Sequence, residues 1–102
     1  MNRYPMFNPQ LLLSFVAVCD SNSFTRAAER VFLSQSTVSQ QVRRLEEMLG
    51  KPLFERSSHQ VLLTEEGVKL LSYARRIIAL NEEAHDALTG IWRDGVLRIG
   101  MP

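Results

Sequence analysis

The feature that most constrains this chain is residues 23–49, Ser-Phe-Thr-Arg-Ala-Ala-Glu-Arg-Val-Phe-Leu-Ser-Gln-Ser-Thr-Val-Ser-Gln-Gln-Val-Arg-Arg-Leu-Glu-Glu-Met-Leu. Two helices are legible, separated by a turn so short that it forces a tight corner. Ser23 suits an N-cap, and Phe24, Ala27, Ala28 and Val31 follow at helical spacing. Phe32 and Leu33 break the period. Ser34 offers a second N-cap, and Val38, Val42, Leu45 and Leu49 continue as an apolar stripe. The pair Ala27-Ala28 lets another backbone approach closely while keeping good helix propensity. Val38, ten residues after Ala28, is where the second helix would press back on the first.

Opposite its stripe, the second helix carries Gln35, Ser36, Ser39, Gln40 and Arg43. An α-helix fits the DNA major groove, where amides and guanidinium forks pair with base edges. Its N-terminus also offers backbone N–H groups to a phosphate. The same residue types solvate ordinary surface helices, but the tight turn, the alanine pair and the scarcity of acids on this face favour the groove. Gln35, Ser36, Ser39 and Gln40 are therefore candidates for base edges and nearby phosphates. Thr25 and Arg26, at the start of the preceding helix, and Arg43 are candidates for phosphates.

The run Ser-Phe-Thr-Arg-Ala-Ala-Glu-Arg, then Leu-Ser-Gln-Ser-Thr-Val-Ser-Gln-Gln-Val-Arg-Arg-Leu-Glu, then Leu-Phe-Glu-Arg, then Leu-Thr-Glu-Glu-Gly resembles the N-terminal region of LysR-type transcriptional regulators. The resemblance extends from about Asn8 to the end of the chain. It implies a mostly α fold: a winged helix-turn-helix over residues 1–63 and a long dimerisation (linker) helix over 64–93. It also implies that residues 94–102 begin a C-terminal effector-binding domain absent here. The implied function is sequence-specific binding of double-stranded DNA. The implied partners are DNA, a second copy (homodimer, or tetramer in the full-length protein) and an effector met only through the absent domain. Relatives commonly carry proline at the place of Ser36 and arginine at that of Gln40, so base preference is not carried over at these positions.

Flanking segments fit that frame. Asn8-Pro9 suits an N-cap followed by proline at the first helical position. Leu12, Phe15, Val16 and Cys19 then mark one face of a helix to about Asp20, widened by Leu11 and Val18. Cys19 on that stripe is a small apolar residue, with no histidine placed to activate it. Gly50 and Pro52 end the second helix of the pair. Leu53-Phe54-Glu55-Arg56 and Gln60-Val61-Leu62-Leu63 are short β-prone pieces, forming a wing packed by Leu53, Phe54 and Leu62 or Leu63. By the resemblance, the wing tip touches DNA; here it holds His59, with Arg56 just before the loop. His59 as a solvated loop residue is the competing reading.

Thr64 caps a final helix expected to run about 28 residues, to near Trp92. Two overlapping seams follow steps of three and four: Leu71, Ala74, Ile78, Asn81, His85, Leu88 and Trp92, or Leu70, Ala74, Ile77, Asn81, Ala84, Leu88 and Ile91. A projecting helix with such a band wants a partner helix. By the resemblance, it pairs antiparallel with its mate. The expected dimerisation residues are Leu70, Leu71, Ala74, Ile77, Ile78, Asn81, Leu88 and Trp92. Beyond Gly95, Val96 to Gly100 alternates like a strand.

Composition restricts the alternatives. One cysteine excludes an intramolecular disulfide and multi-cysteine metal sites, and His85 has no companion at ligand spacing. No metal, cofactor or catalytic residue is expected. The inventory lacks a paired-carboxylate cleft, a glycine-rich phosphate loop and a Cys/His pair, which argues against an enzyme. No apolar run approaches the roughly 20 residues that span a bilayer, and the first residues lack a signal-peptide core. A cytoplasmic protein with no membrane partner is expected. Net charge is only +1, but residues 1–63 hold seven Lys/Arg against five Asp/Glu, and 64–94 hold four against six. The basic side lies with the expected reading head. A helical protein-interaction module that does not bind DNA is the alternative, and salt dependence of binding separates the two.

Overall fold

The computed structural model describes residues 6–56 and 60–90. The expectations placed on His59, Ile91, Trp92 and residues 94–102 lie outside that range. Four helices follow in order: α1 (Pro9–Ser21), α2 (Phe24–Val31), α3 (Gln35–Leu49) and α4 (Glu65–Thr89). Their starts are set by local chemistry. The side chains of Asn8, Ser23, Ser34 and Thr64 each accept a hydrogen bond from a backbone N–H of the first turn, satisfying donors that a helix start leaves unpaired. Each helix stops where one residue turns left-handed: Asn22, Phe32, Gly50 and Gly90. Gly90 ends α4 at 25 residues, short of the expected reach to Trp92.

α1 is the central brace, packed against α2, α3 and α4. That role changes which of its residues are buried. Leu11, Leu12, Phe15 and Val18 are buried with Ser14 and Ala17, whereas Val16 and Cys19 are only partly so. Three neighbours around one helix bury a wider arc than a single stripe predicts. Ser14, fully buried, donates its hydroxyl to Gln41 Oε1 and so ties α1 to α3 through a satisfied polar contact. Burial, and next the Asp20 charge, push the Cys19 thiol up to about 12, which keeps it protonated and unreactive at neutral pH.

Ala27 and Ala28 are buried at the α2–α3 corner, with Val38 fully buried as well. The corner itself turns on Phe32 at φ 58° and ψ 43°, with the Leu33 N–H returning to the Ala28 carbonyl at 3.0 Å. On α3, Val38, Val42 and Leu45 face the core, whereas Leu49 is 38% exposed at the helix end.

The expected wing is present in its base. Phe54 and Leu63 form an antiparallel bridge; Glu55 N–H donates to the Leu62 carbonyl at 2.8 Å, and Thr64 N–H to that of Leu53 at 2.9 Å. The described residues hold this single pairing and no regular strand. Leu53 is fully buried, and Phe54 packs tilted against Phe15 and edge-on against Phe24, with ring centroids 5.5 and 5.6 Å away. Leu63 joins this core and Leu62 remains exposed.

Candidate nucleic-acid interface

α3 presents the predicted polar row intact. Gln35, Ser36, Gln40 and Arg43 are exposed and Ser39 is half-buried, and the five line one shallow surface depression. Their positions follow from the buried stripe behind them: with Val38, Val42 and Leu45 turned inward, the opposite side must face outward. The Ser34 cap holds the first turn by accepting from Thr37 N–H at 3.1 Å.

The corner joins the two helices at this surface. Thr25 Oγ1 donates to Gln35 Oε1 at 3.2 Å, which ties the amide of α3 to the first turn of α2. Arg26 and Thr25 are both exposed on the first turn of α2, beside the row. Thr25, Gln35, Ser36, Ser39, Gln40 and Arg43 thus lie together, and Arg26 is exposed on the neighbouring turn of α2.

Arg56 differs. Its guanidinium Nη2 lies 2.8 Å from Glu46 Oε1, and Oε2 of the same carboxylate accepts the Leu53 N–H at 2.8 Å. Glu46 is buried, and it clamps the wing base to α3. Arg56 therefore approaches the outer face already paired. Sequence reading missed Glu46; its only signal is a carboxylate one residue after a buried stripe position, where an acid is unfavourable without a partner. A cleft bounded by Phe24, Ser39, Arg43, Glu46 and Arg56 continues the face toward the wing.

α4 divides the proposed dimerisation residues into two groups. Leu70 and Ala74 are buried in the protomer's own core, and Leu71 and Ile78 pack against it. Ile77 and Leu88 are exposed, as is Asn81. Tyr73 and Leu80, absent from both seams read from sequence, are 59% and 64% exposed on the same helix. Tyr73 and Ile77 also line an apolar cavity with Phe7, Leu49 and Leu70. At the other side of α4, Arg75 grips Asp20 of α1 through two contacts, Nη2–Oδ1 at 2.6 Å and Nη1–Oδ2 at 3.3 Å. The Arg75 hydrogen bond holds the Asp20 carboxyl below its ordinary range.

Two helices meeting at a left-handed corner, with a polar outer row and a pinned wing base, define a winged helix-turn-helix protein. The family model for the bacterial regulatory helix-turn-helix protein, lysR family, matches residues 9–68, and the chain belongs to that family. It is 49% identical over 90 residues to the HTH-type transcriptional regulator PecT of Dickeya dadantii, a match covering 88% of this chain and 28% of that protein. It is 42% identical to DgdR of Burkholderia cepacia over 90% of this chain and 31% of that one. The chain thus spans about three-tenths of the length of these curated relatives. Among solved structures, the BenM DBD/catB site 1 DNA complex superposes with a TM-score of 0.77 at 34% identity, over 81% of this chain and 92% of that one. Both relatives are named as HTH-type transcriptional regulators. No helix among the described residues is long and apolar enough to cross a membrane.

Proposed function

We propose that this chain is the sequence-specific double-stranded-DNA-binding module of a bacterial LysR-type regulator, acting as a homodimer in the cytoplasm. The observation that carries the reading is the polar row of α3, with Gln35 tied to Thr25 of α2 by a hydrogen bond. Gln35, Ser36, Ser39 and Gln40 meet base edges and adjacent phosphates; Thr25, Arg26 and Arg43 meet phosphates. Arg56 contributes to the wing side as a cation held by Glu46, and His59 is the candidate for the wing tip. A similar domain has been solved in complex with DNA, which supports the same use here.

Dimerisation uses the outward side of α4. Tyr73, Ile77, Leu80 and Leu88 recur at steps of four, three and eight along α4 and are exposed among the described residues, Leu80 and Leu88 most of all. Because the curated relatives are longer, a small-molecule effector, and any tetramer, belong to parts of the protein beyond these residues.

Two variants read across two DNA sequences test the DNA reading. Gln35→Ala should cost on the order of 1–3 kcal/mol on a site selected from random DNA and little on unrelated DNA. Arg26→Ala should weaken both equally and lower the salt slope by roughly one contact. Parallel losses on both DNAs would remove Gln35 from base reading, and salt-independent binding would favour a protein partner.

A further inference from the structure

The grip between Asp20 and Arg75 breaks a local rule. Asp20 is in the last turn of α1, at the negative end of the helix dipole, and that turn contains no basic residue to offset it. The compensation comes from elsewhere: the Arg75 fork from α4 and the positive charge of Arg30 at the end of α2. A locally unfavourable acid that is satisfied only across elements marks a place where the relation between elements is being fixed.

Its location on α4 gives that relation a consequence. The helix is seated on the head by Gly67, Leu70 and Ala74, with Leu71 and Ile78 partly buried beside them. Past Ile78, the described residues of α4 are exposed apart from half-buried Asp86. Arg75 is therefore at the point where α4 leaves the head. From Ala74 to Thr89 the helix extends roughly 22 Å, at about 1.5 Å per residue. A tilt of about 10° at the base moves the far end by roughly 4 Å, close to the ~3.4 Å step between base pairs. The apolar seating tolerates small rotations because it is non-directional, whereas a bidentate guanidinium–carboxylate pair fixes orientation.

We propose that the Asp20–Arg75 clasp is a positioning device: it fixes the angle at which α4 departs from the DNA-reading head and so sets which separation of two DNA half-sites the dimer prefers. The inference rests on the dimeric DNA-binding reading above. Arg75 and Asp20 touch no DNA in this scheme; they act through the geometry of the lever.

The test compares duplexes carrying one selected half-site with duplexes carrying two, their spacing varied one base pair at a time at fixed salt. The parent is compared with Arg75→Met, Arg75→Lys, Asp20→Asn and the swap Asp20→Arg with Arg75→Asp. Single half-site affinity should stay within about twofold, while the preference for the best spacing over its neighbours falls about two- to fivefold in Arg75→Met and Asp20→Asn, the range of an exposed ion pair. Arg75→Lys, which keeps the charge without the fork, should fall between, and the swap should recover part of the preference. Circular dichroism identifies any variant that does not fold, and the remaining single variants then decide. An unchanged spacing profile overturns the clasp, as does equal loss on one-site and two-site DNA. A parent that selects no sequence at all defeats the DNA reading, a separable outcome.

Discussion

Gly67 is a residue whose small size is required by space, not by backbone angle. It occupies the first turn of α4, where glycine forfeits helix propensity. A Cβ there would lie 2.2 Å from the Leu53 carbonyl oxygen and 2.7 Å from Leu63 Cδ2. The first of these is backbone, held in place by the Thr64 N–H, so it cannot swing aside. Gly67→Ala should therefore destabilise the domain by at least about 1–3 kcal/mol, the usual cost of overpacking, measurable by urea denaturation. Phe32 is the opposite case. It turns the corner at φ 58° and is 92% exposed, so its ring contributes no packing to offset the left-handed backbone. Left-handed geometry costs an L-residue about 1–2 kcal/mol, and glycine returns part of that gain as unfolded-state entropy. Phe32→Gly should stabilise by roughly 0.5–1 kcal/mol in the same assay; a loss of stability would mean that the ring holds the corner.

At the scale of elements, the helices were legible and the joints between them were not. Asn8, Ser23, Ser34 and Thr64 announce each helix start through local hydrogen bonding, and Gly50 marks one of the ends, whereas α4 stops at Gly90, before the expected Trp92. The α3 polar row could be read because its opposite, the buried stripe, has a clear period. Glu46 could not be, since its importance depends on the Leu53 N–H seven residues away and on the Arg56 guanidinium ten away, a meeting made only by the fold. The wing-base clamp can be tested in two steps. Glu46→Ala leaves the Leu53 N–H buried without its acceptor and should cost about 1–3 kcal/mol. Glu46→Gln keeps an acceptor and loses only the charge on a guanidinium whose side chain is 68% exposed, so it should cost less than half as much. Equal losses in thermal or chemical unfolding would place the contribution in the ion pair instead of the Leu53 hydrogen bond.

At the scale of the whole molecule, the remaining ambiguity was which side of α4 belongs to whom. A helix with apolar residues at 70, 71, 74, 77, 78 and 88 admits overlapping seams, and periodicity cannot say which one the protomer's own α1 takes. The structure assigns Leu70 and Ala74, with Leu71 and Ile78, to the head. Among the apolar residues left outward are Tyr73, Ile77, Leu80 and Leu88, with Val68 exposed nearer the start of a helix otherwise rich in charge. This division changes how dimerisation should be tested. A charge at Ile78 would damage the head as well as any interface, so loss of the dimer there would be uninformative. Leu80→Glu and Leu88→Glu place the charge where the protomer has nothing to lose. They should yield monomers by sedimentation while leaving helix content and single half-site binding intact. Melting of the unmodified chain should shift upward with protein concentration, since association stabilises the folded state by mass action, and that shift should vanish in Leu80→Glu. Should the unmodified chain sediment as a monomer at tens of micromolar (roughly the range for a weak dimer), the outward seam is not a self-association surface.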